Sequence, residues 1–209
     1  MHEQKFAPLQ HHTDTYKARS CHWVIYSPPS IITQNDLSES SQIIKPQPIG
    51  TIRLVPYPHS RHPQPGSRND VPPEEEVEVE DAVNFFTAPP PVYVAETERA
   101  TTLHDGIEPY VKLGRICVIK EFRGNRFSDL LIQTALKRAS ETPEFSKEIL
   151  GAKATRVPEW KGLGMVQAPA RPTTLETRQR NGFVVDEGLG SWYEAGNETV
   201  AMFRRVELR

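Results

Sequence analysis

Residues 21–27 (CHWVIYS) interleave β-branched and aromatic side chains with polar ones in the manner of a strand, and Pro28-Pro29 stops it. Alternation returns over residues 48–57 (PIGTIRLVPY), where Ile49, Thr51, Arg53 and Val55 point one way and Ile52 and Leu54 the other. This predicts a second strand, hairpin-paired with the first. Residues 110–120 (YVKLGRICVIK) carry the longest strand signal in the chain and predict a central strand. The period becomes helical at residues 128–140 (SDLLIQTALKRAS): Leu131, Ala135 and Leu136 share one face, Lys137 and Arg138 fall off it, and Pro143 follows the end. Residues 91–96 (PVYVAE) read as a short extended piece and residues 162–168 (GLGMVQA) as a weak strand. Pro169 and Pro172 delay a further helix to residues 173–179, ahead of a turn at Asn181-Gly182. Residues 183–186 and 199–208 read as the last two strands, and no internal repeat is visible.

Composition changes this picture in one place. Between residues 58 and 91 the text turns to PHSRHPQPGSRNDVPPEEEVEVEDAVNFFTAPPP, rich in proline and acid with little periodicity, which predicts a surface insertion outside the core. The acidic run over residues 74–81 reads as a solvated charge run. With 209 residues the chain suits one α/β domain spanning residues 1–209 and carrying that insertion. A net charge of −2 supplies no broad basic field, so nucleic acid is not an expected partner. No run of residues has the apolar length of a membrane span and the N-terminus has no apolar leader core, so a membrane is not expected either. A cytoplasmic protein is expected, with the nucleus not excluded. The 2 cysteines, Cys21 and Cys117, are too few for a disulfide framework, and Cys117 reads as core packing within its apolar run. His11, His12, His59 and His62 lack partners at metal-ligand spacing, and no metal is expected.

The chemistry signal is the order strand, then Glu121-Phe122-Arg123-Gly124-Asn125-Arg126-Phe127-Ser128, then helix. Such a unit aims main-chain N–H groups and the positive helix end at one point, which suits a pyrophosphate; an ordinary βα turn has the same outline.

The stretch GRICVIKEFRGNRFSDLLIQTAL resembles the acetyl-CoA-binding motif of the GNAT superfamily, in which Arg or Gln is followed by two residues, Gly, one residue, and Gly or Ala. Arg123 matches the first position, while Arg126 and Ser128 stand at the two small-residue positions. The closing text NGFVVDEGLGSWYEAGNETVAMFRRVEL is similar to the end of the same fold, in a fungal-type branch acting on small amines such as glucosamine. The resemblance covers roughly residues 110–208. It implies an α/β (α+β) fold with a central, mixed, mostly antiparallel sheet of about six to seven strands, splayed in the middle and flanked by helices.

It also implies an acetyl-CoA-dependent N-acetyltransferase with no metal. Cys117, Val118 and Ile119 would offer backbone groups to the pantetheine arm. Arg123, Gly124, Asn125, Arg126, Phe127 and Ser128 would wrap the pyrophosphate, with the arginines adding charge-assisted contacts. Many members carry a Tyr shortly before the Gly-Phe turn as the acid, where this sequence has Thr177 and Arg178. Tyr193 and Glu194 are then the nearest candidates for acid and base, with Glu198 flanking the position where the related branch carries His. Asp105 and Glu108 precede the central strand and are expected near the acceptor mouth, where with Glu198 they would bind an ammonium or sugar hydroxyls. The expected acceptor is a small polar amine, first an amino sugar. A protein lysine or N-terminus, and an acetyl-CoA-binding protein without turnover, stay open as alternatives, and a homodimer is compatible with the sequence.

Overall fold

The computed structural model describes residues 20–28, 30–32, 42–57, 62–69, 99–141, 160–194 and 196–209. The expectations placed on the N-terminal histidines, His59, the acidic run over 74–81, the extended piece at 91–96 and most of the insertion lie outside these residues.

Two alternating segments pair first. Strand β1 (Cys21–Tyr26) lies antiparallel to β4 (Pro48–Val55), with Cys21 opposite Leu54 and Ile25 opposite Gly50. A separate small hairpin, β2 (Ser30–Ile32) with β3 (Gln42–Ile44), stands between them in the chain. The central strand β6 (Val111–Val118) adds antiparallel to β4, and β7 (Leu163–Pro169) adds parallel to β6. Strand β10 (Asn197–Arg205) pairs antiparallel with β7, β9 (Ser191–Glu194) with β10, and β5 (Arg68–Asn69) runs parallel to β9. The row is therefore β1-β4-β6-β7-β10-β9-β5, with the short β8 (Val184–Val185) on β10. This is the mixed, mostly antiparallel and centrally splayed sheet that the resemblance implied. The splay is explicit in the register: β6 and β7 pair only from Val111↔Gly164 to Leu113↔Val166, and beyond that neither edge has the other as partner.

A bulge accounts for the parting. Thr51 faces Cys117 and Arg53 faces Gly114, so Ile52 alone stands opposite both Arg115 and Ile116. Arg115 takes the left-handed conformation, φ 53°, to fit the extra residue. The bulge also exchanges the two faces of the strand: Val111 and Leu113 point into the core before it, and Ile116 and Val118 after it. Cys117 is consequently exposed, which corrects the expectation that it packs in the core.

Helix α1 (Phe127–Glu141) lays Leu131, Ile132, Ala135, Leu136 and Ala139 against β4 and β6, at the i, i+4 and i+5 spacing its sequence shows. Close approach needs a bare backbone at Gly50, where a Cβ would meet the Cys117 carbonyl at 3.1 Å and Leu131 at 3.3 Å. Helix α2 (Pro172–Arg180) begins on a proline, which suits a first helical turn, and packs on β7. The two helices thus stand on the same face of the sheet, one on each side of the β6–β7 split.

The opposite face carries a second core of Tyr110, Leu163, Met165, Leu189, Trp192, Ala201 and Phe203. Two histidines enter it. His62 is 9% exposed and stacks on Tyr110, whose hydroxyl lies 3.1 Å from its Nε2, and His104 stacks on Phe203. The surface expectation for the proline-rich insertion is therefore corrected over residues 62–69: His62 is a core residue and β5 extends the sheet. Proline density there hid a segment tied down by one aromatic contact set and one short strand.

Burial, with smaller contributions from Lys112 and His104, lowers the pKa of His62 from 6.5 to about 3. As pH falls, the unfolded chain takes up this proton first. The stability contributed by neutral His62 is thus present above pH 6.5 and is lost as pH drops toward 3. His62→Phe should flatten the fall of melting temperature across that window, removing up to about 1.4 kcal/mol per pH unit. Parallel melting curves of the two proteins through the window check this, and identical slopes would refute it.

Candidate functional site

Strand β6 ends at Val118, and Lys120–Phe122 follows as one 3-10 turn before the loop into α1. The loop is held from within. Arg123 folds its side chain back so that Nε donates to the Val118 carbonyl at 3.0 Å, and the Asn125 amide donates to the Phe122 carbonyl at 3.2 Å. Gly124 has φ 84° and Arg126 φ 59°, so the chain turns left-handed twice within three residues. Arg126, at the position where the motif has glycine, takes the glycine conformation itself and leaves its side chain exposed.

The consequence is a row of free donors. The first helical bond of α1 runs from the Leu130 N–H to the Arg126 carbonyl at 3.1 Å. Among the described residues, the main-chain N–H groups from Gly124 to Asp129 have no acceptor. Alternating left-handed residues followed by a helix N-terminus make a concave cradle of N–H groups with the positive helix end behind it. Lys120, Arg123 and Arg126 add exposed cationic side chains around it. The cradle has the geometry to hold an anionic group and sits at the end of β6 where β7 is no longer its partner. Phe127 supports it from below by packing against Phe122, with ring centroids 6.3 Å apart.

The other expected contacts divide. The Ile119 N–H is already taken by the Ile49 carbonyl at 3.0 Å, and the Val118 carbonyl by Arg123. Within β6, pairing with β7 ends at Leu113.

Tyr193, Glu194 and Glu198 lie on the β9–β10 hairpin. Because Thr199 pairs with Pro169, the last residue of β7, the hairpin tip extends past the open end of the split. Tyr193 faces Glu198 across the hairpin, and the Arg68 guanidinium lies over its ring, 4.6 Å from the centroid. Glu198 accepts from the Ser191 hydroxyl at 2.8 Å, and Glu194 is exposed. β9 is two strands, about 10 Å, from β7. Tyr193 and Glu194 are neighbours on that strand, so both stand at this distance from the split. The sequence predicted strands at 183–186 and 199–208 and none between them; the four-residue β9 is too short for its alternation to stand out.

Asp105 and Glu108 are at the other end. One Asp105 carboxylate oxygen accepts from the Ile107 and Glu108 N–H groups at 2.8 and 2.6 Å, and these bonds lower its pKa. Glu108 makes a bidentate pair with Arg205 at 2.7 and 2.8 Å. Arg205 pairs with Leu163, at the start of β7, where the strands are closed together. The expectation that these carboxylates line the acceptor mouth is thus corrected: one forms a turn, the other an ion pair, and both lie at the closed end of the sheet.

Between the helices a polar network spans the split. The Asn181 amide donates to Asp129 at 2.6 Å, Gln133 donates to the Asn181 amide oxygen at 2.9 Å, and Arg180 lies 3.5 Å from Asp129. Arg204 closes the end of α2 by donating to the Asn181 carbonyl at 2.6 Å. Arg178, on the inner face of α2, is 8% exposed. Burial lowers its pKa from 12.5 to about 10 against the opposing field of Asp129, so it remains cationic at neutral pH.

Comparisons by sequence find neither a matching family nor a matching curated protein. Among solved structures, Arabidopsis thaliana NAA60 in complex with a bisubstrate analogue aligns at 11% identity and a TM-score of 0.36, over 76% of this chain and 65% of that one. A tyrosine-to-phenylalanine mutant of KacT aligns at 15% identity and a TM-score of 0.36, over 77% and 64%. An N-acetyltransferase from Staphylococcus aureus Mu50 aligns at 14% identity and a TM-score of 0.33, over 75% and 64%. The chain spans less than two thirds of the length of the NAA60 structure, at 65%. Overlaps this loose define neither its family nor its activity.

The left-handed backbone at Arg126 yields a stability test independent of any ligand. Arg126→Gly should raise stability by about 1 kcal/mol and Arg126→Val should lower it by at least as much. Denaturant titration of both variants checks the pair, and a destabilised glycine variant would refute the strained loop.

Proposed function

We propose that this chain is an N-acetyltransferase that binds acetyl-CoA with its pyrophosphate in the cradle from Gly124 to Asp129 and transfers the acetyl group to a primary amine. The observation that carries the reading is the row of main-chain N–H groups without acceptors, standing over a split between two parallel strands. The N–H groups supply the anion site, and the split supplies a slot in which an extended amide-bearing arm can take the place of a missing strand. The main chain of β6 beyond Leu113, Cys117 included, would bond the pantetheine amides. No residue of the chain needs to form a covalent intermediate: a neutral amine attacks the thioester carbonyl directly.

The acceptor enters from the β9–β10 side, where Glu194 and Glu198 give carboxylates for an ammonium. Glu194 takes the ammonium proton, directly or through water, before attack. Tyr193, held flat by Arg68, forms part of the acceptor wall. A small polar amine, with an amino sugar such as glucosamine as the first member to try, fits a mouth of carboxylates and hydroxyls from Ser191 and Tyr193.

Calorimetry with acetyl-CoA should give saturable binding that Gly124→Pro abolishes, since proline cannot reach φ 84° and lacks a donor. Circular dichroism of the variant verifies its fold, and undiminished binding by a folded variant would refute the cradle. Thiol release with a panel of amines then identifies the acceptor: turnover with small amines supports the first choice, turnover with peptides alone moves the acceptor to protein amines, and binding without turnover removes the enzyme reading. On the best acceptor, Glu194→Gln should lower kcat about a hundredfold near neutral pH, with recovery as the free amine becomes abundant at higher pH. Equal turnover across the pH range would exclude Glu194 as the base.

A further inference from the structure

The buried cation on α2 has no place in the binding scheme so far. Arg178 is 8% exposed, and among the described residues its Nε has no hydrogen-bond partner. The carboxylate whose field reaches it is Asp129 on the first turn of α1, but the two oxygens of that carboxylate are engaged by Asn181 at 2.6 Å and Arg180 at 3.5 Å. A guanidinium taken from water without its own carboxylate is costly, and a fold keeps one where a ligand brings the anion.

Its position follows from the register. After α2 the chain returns to the sheet at Val184, which pairs with Phe203, and Phe203 pairs with Met165. The last turn of α2 is therefore level with Met165 and Val166, and Val166 is where β7 loses β6 as its partner. Leu175, one turn earlier on the same face of α2, packs on the core between sheet and α1, so that face looks toward the sheet and the split. Arg178 thus stands at the base of the split, and the cradle from Gly124 to Asp129 lies at its upper end.

We propose that Arg178 is a catalytic residue that holds the coenzyme sulfur as it departs as a thiolate, in place of an acid that would protonate it. The assignment rests on the acetyl-CoA reading above. In the step, the amine nitrogen bonds to the acetyl carbonyl carbon, and the carbon–sulfur bond breaks with its electron pair on sulfur. The surplus proton on nitrogen passes to water by way of Glu194. The product is the acetylated amine with coenzyme A as a thiolate against the guanidinium. Because Arg178 stays protonated, the sulfur leaves as an anion, and its protonation follows after release into water. The charged groups facing this place are Asp129 and Arg180, which pair with one another across the helices.

The test uses coenzyme A itself and the full chain. Ultraviolet difference spectra near neutral pH should show bound coenzyme A as thiolate at a fraction about tenfold above free coenzyme A, the shift expected from an adjacent cation. Arg178→Met should abolish that signature and lower kcat about a hundredfold, with the Kd for acetyl-CoA within about threefold of the parent. Its melting temperature should be unchanged or higher, since an unpaired buried charge is replaced by an apolar chain. Arg178→Lys should restore part of both the signature and the rate. A Met variant that keeps thiolate signature and rate overturns the assignment. So does one whose main loss is acetyl-CoA affinity, which would make the guanidinium a phosphate contact, or one that melts well below the parent, which would make it a structural brace. If the parent protein binds neither coenzyme A nor acetyl-CoA, the coenzyme reading fails first and this assignment with it.

Discussion

The bulge at Arg115 is the constraint from which the site follows. A strand of regular pleat would continue to pair with β7 and keep one face inward along its whole length. One extra residue against Ile52 bends β6, exchanges its faces and ends its pairing with β7 after Leu113. The left-handed residue needed at the bulge is an arginine, φ 53°, a conformation that costs about 1 kcal/mol or more outside glycine. Packing repays it: Ile116 and Val118 reach the core under α1 only because the parity has changed.

That same bulge marks where the sequence could and could not be read. The longer strands β1, β4, β6, β7 and β10 and the amphipathic face of α1 were legible because each depends on a local period, whereas the short β2, β3, β5 and β9 were not. Cys117 was misplaced because an apolar run was read as wholly inward, whereas after the bulge Ile116 and Val118 face the core and Cys117 between them faces out. His62 was misread for a different reason. Its burial depends on Tyr110, 48 residues away, and nothing in the surrounding prolines encodes that contact. Asp105 and Glu108 were rightly seen as precursors of the central strand, yet sequence distance from a strand does not say at which end of the sheet a residue stands.

In the cradle the backbone turns left-handed where the side chains would not announce it. Arg126 and Ser128 replace the small residues, and Arg126 still adopts φ 59°. What binds an anion in such a loop is the direction of the N–H groups, so a residue that accepts the left-handed strain can stand where glycine would be expected. Arg123, which matches the motif, uses its Nε to tie the loop to the end of β6. The matching residue is thus structural in part, while the departing one marks where the backbone must turn.

Charge is distributed unevenly along the slot. Its upper end has free N–H groups with Lys120, Arg123 and Arg126 around them, its base has Arg178, and its far mouth has Glu194 and Glu198. A ligand with phosphates at one end, a developing anion in the middle and an ammonium approaching from the far side would match that order in sequence and sign. The buried middle is the most demanding of the three. Solvent screens the exposed cations around the cradle, and a misplaced arginine there would cost little. Arg178 has no such relief, because it sits under α2 with its Nε unpartnered and Asp129 already committed to Asn181. The network of Asn181, Gln133 and Asp129 ties α1 to the end of α2 beside it. On the assignment proposed for Arg178, the group that reaches the foot of the strand split carries negative charge there.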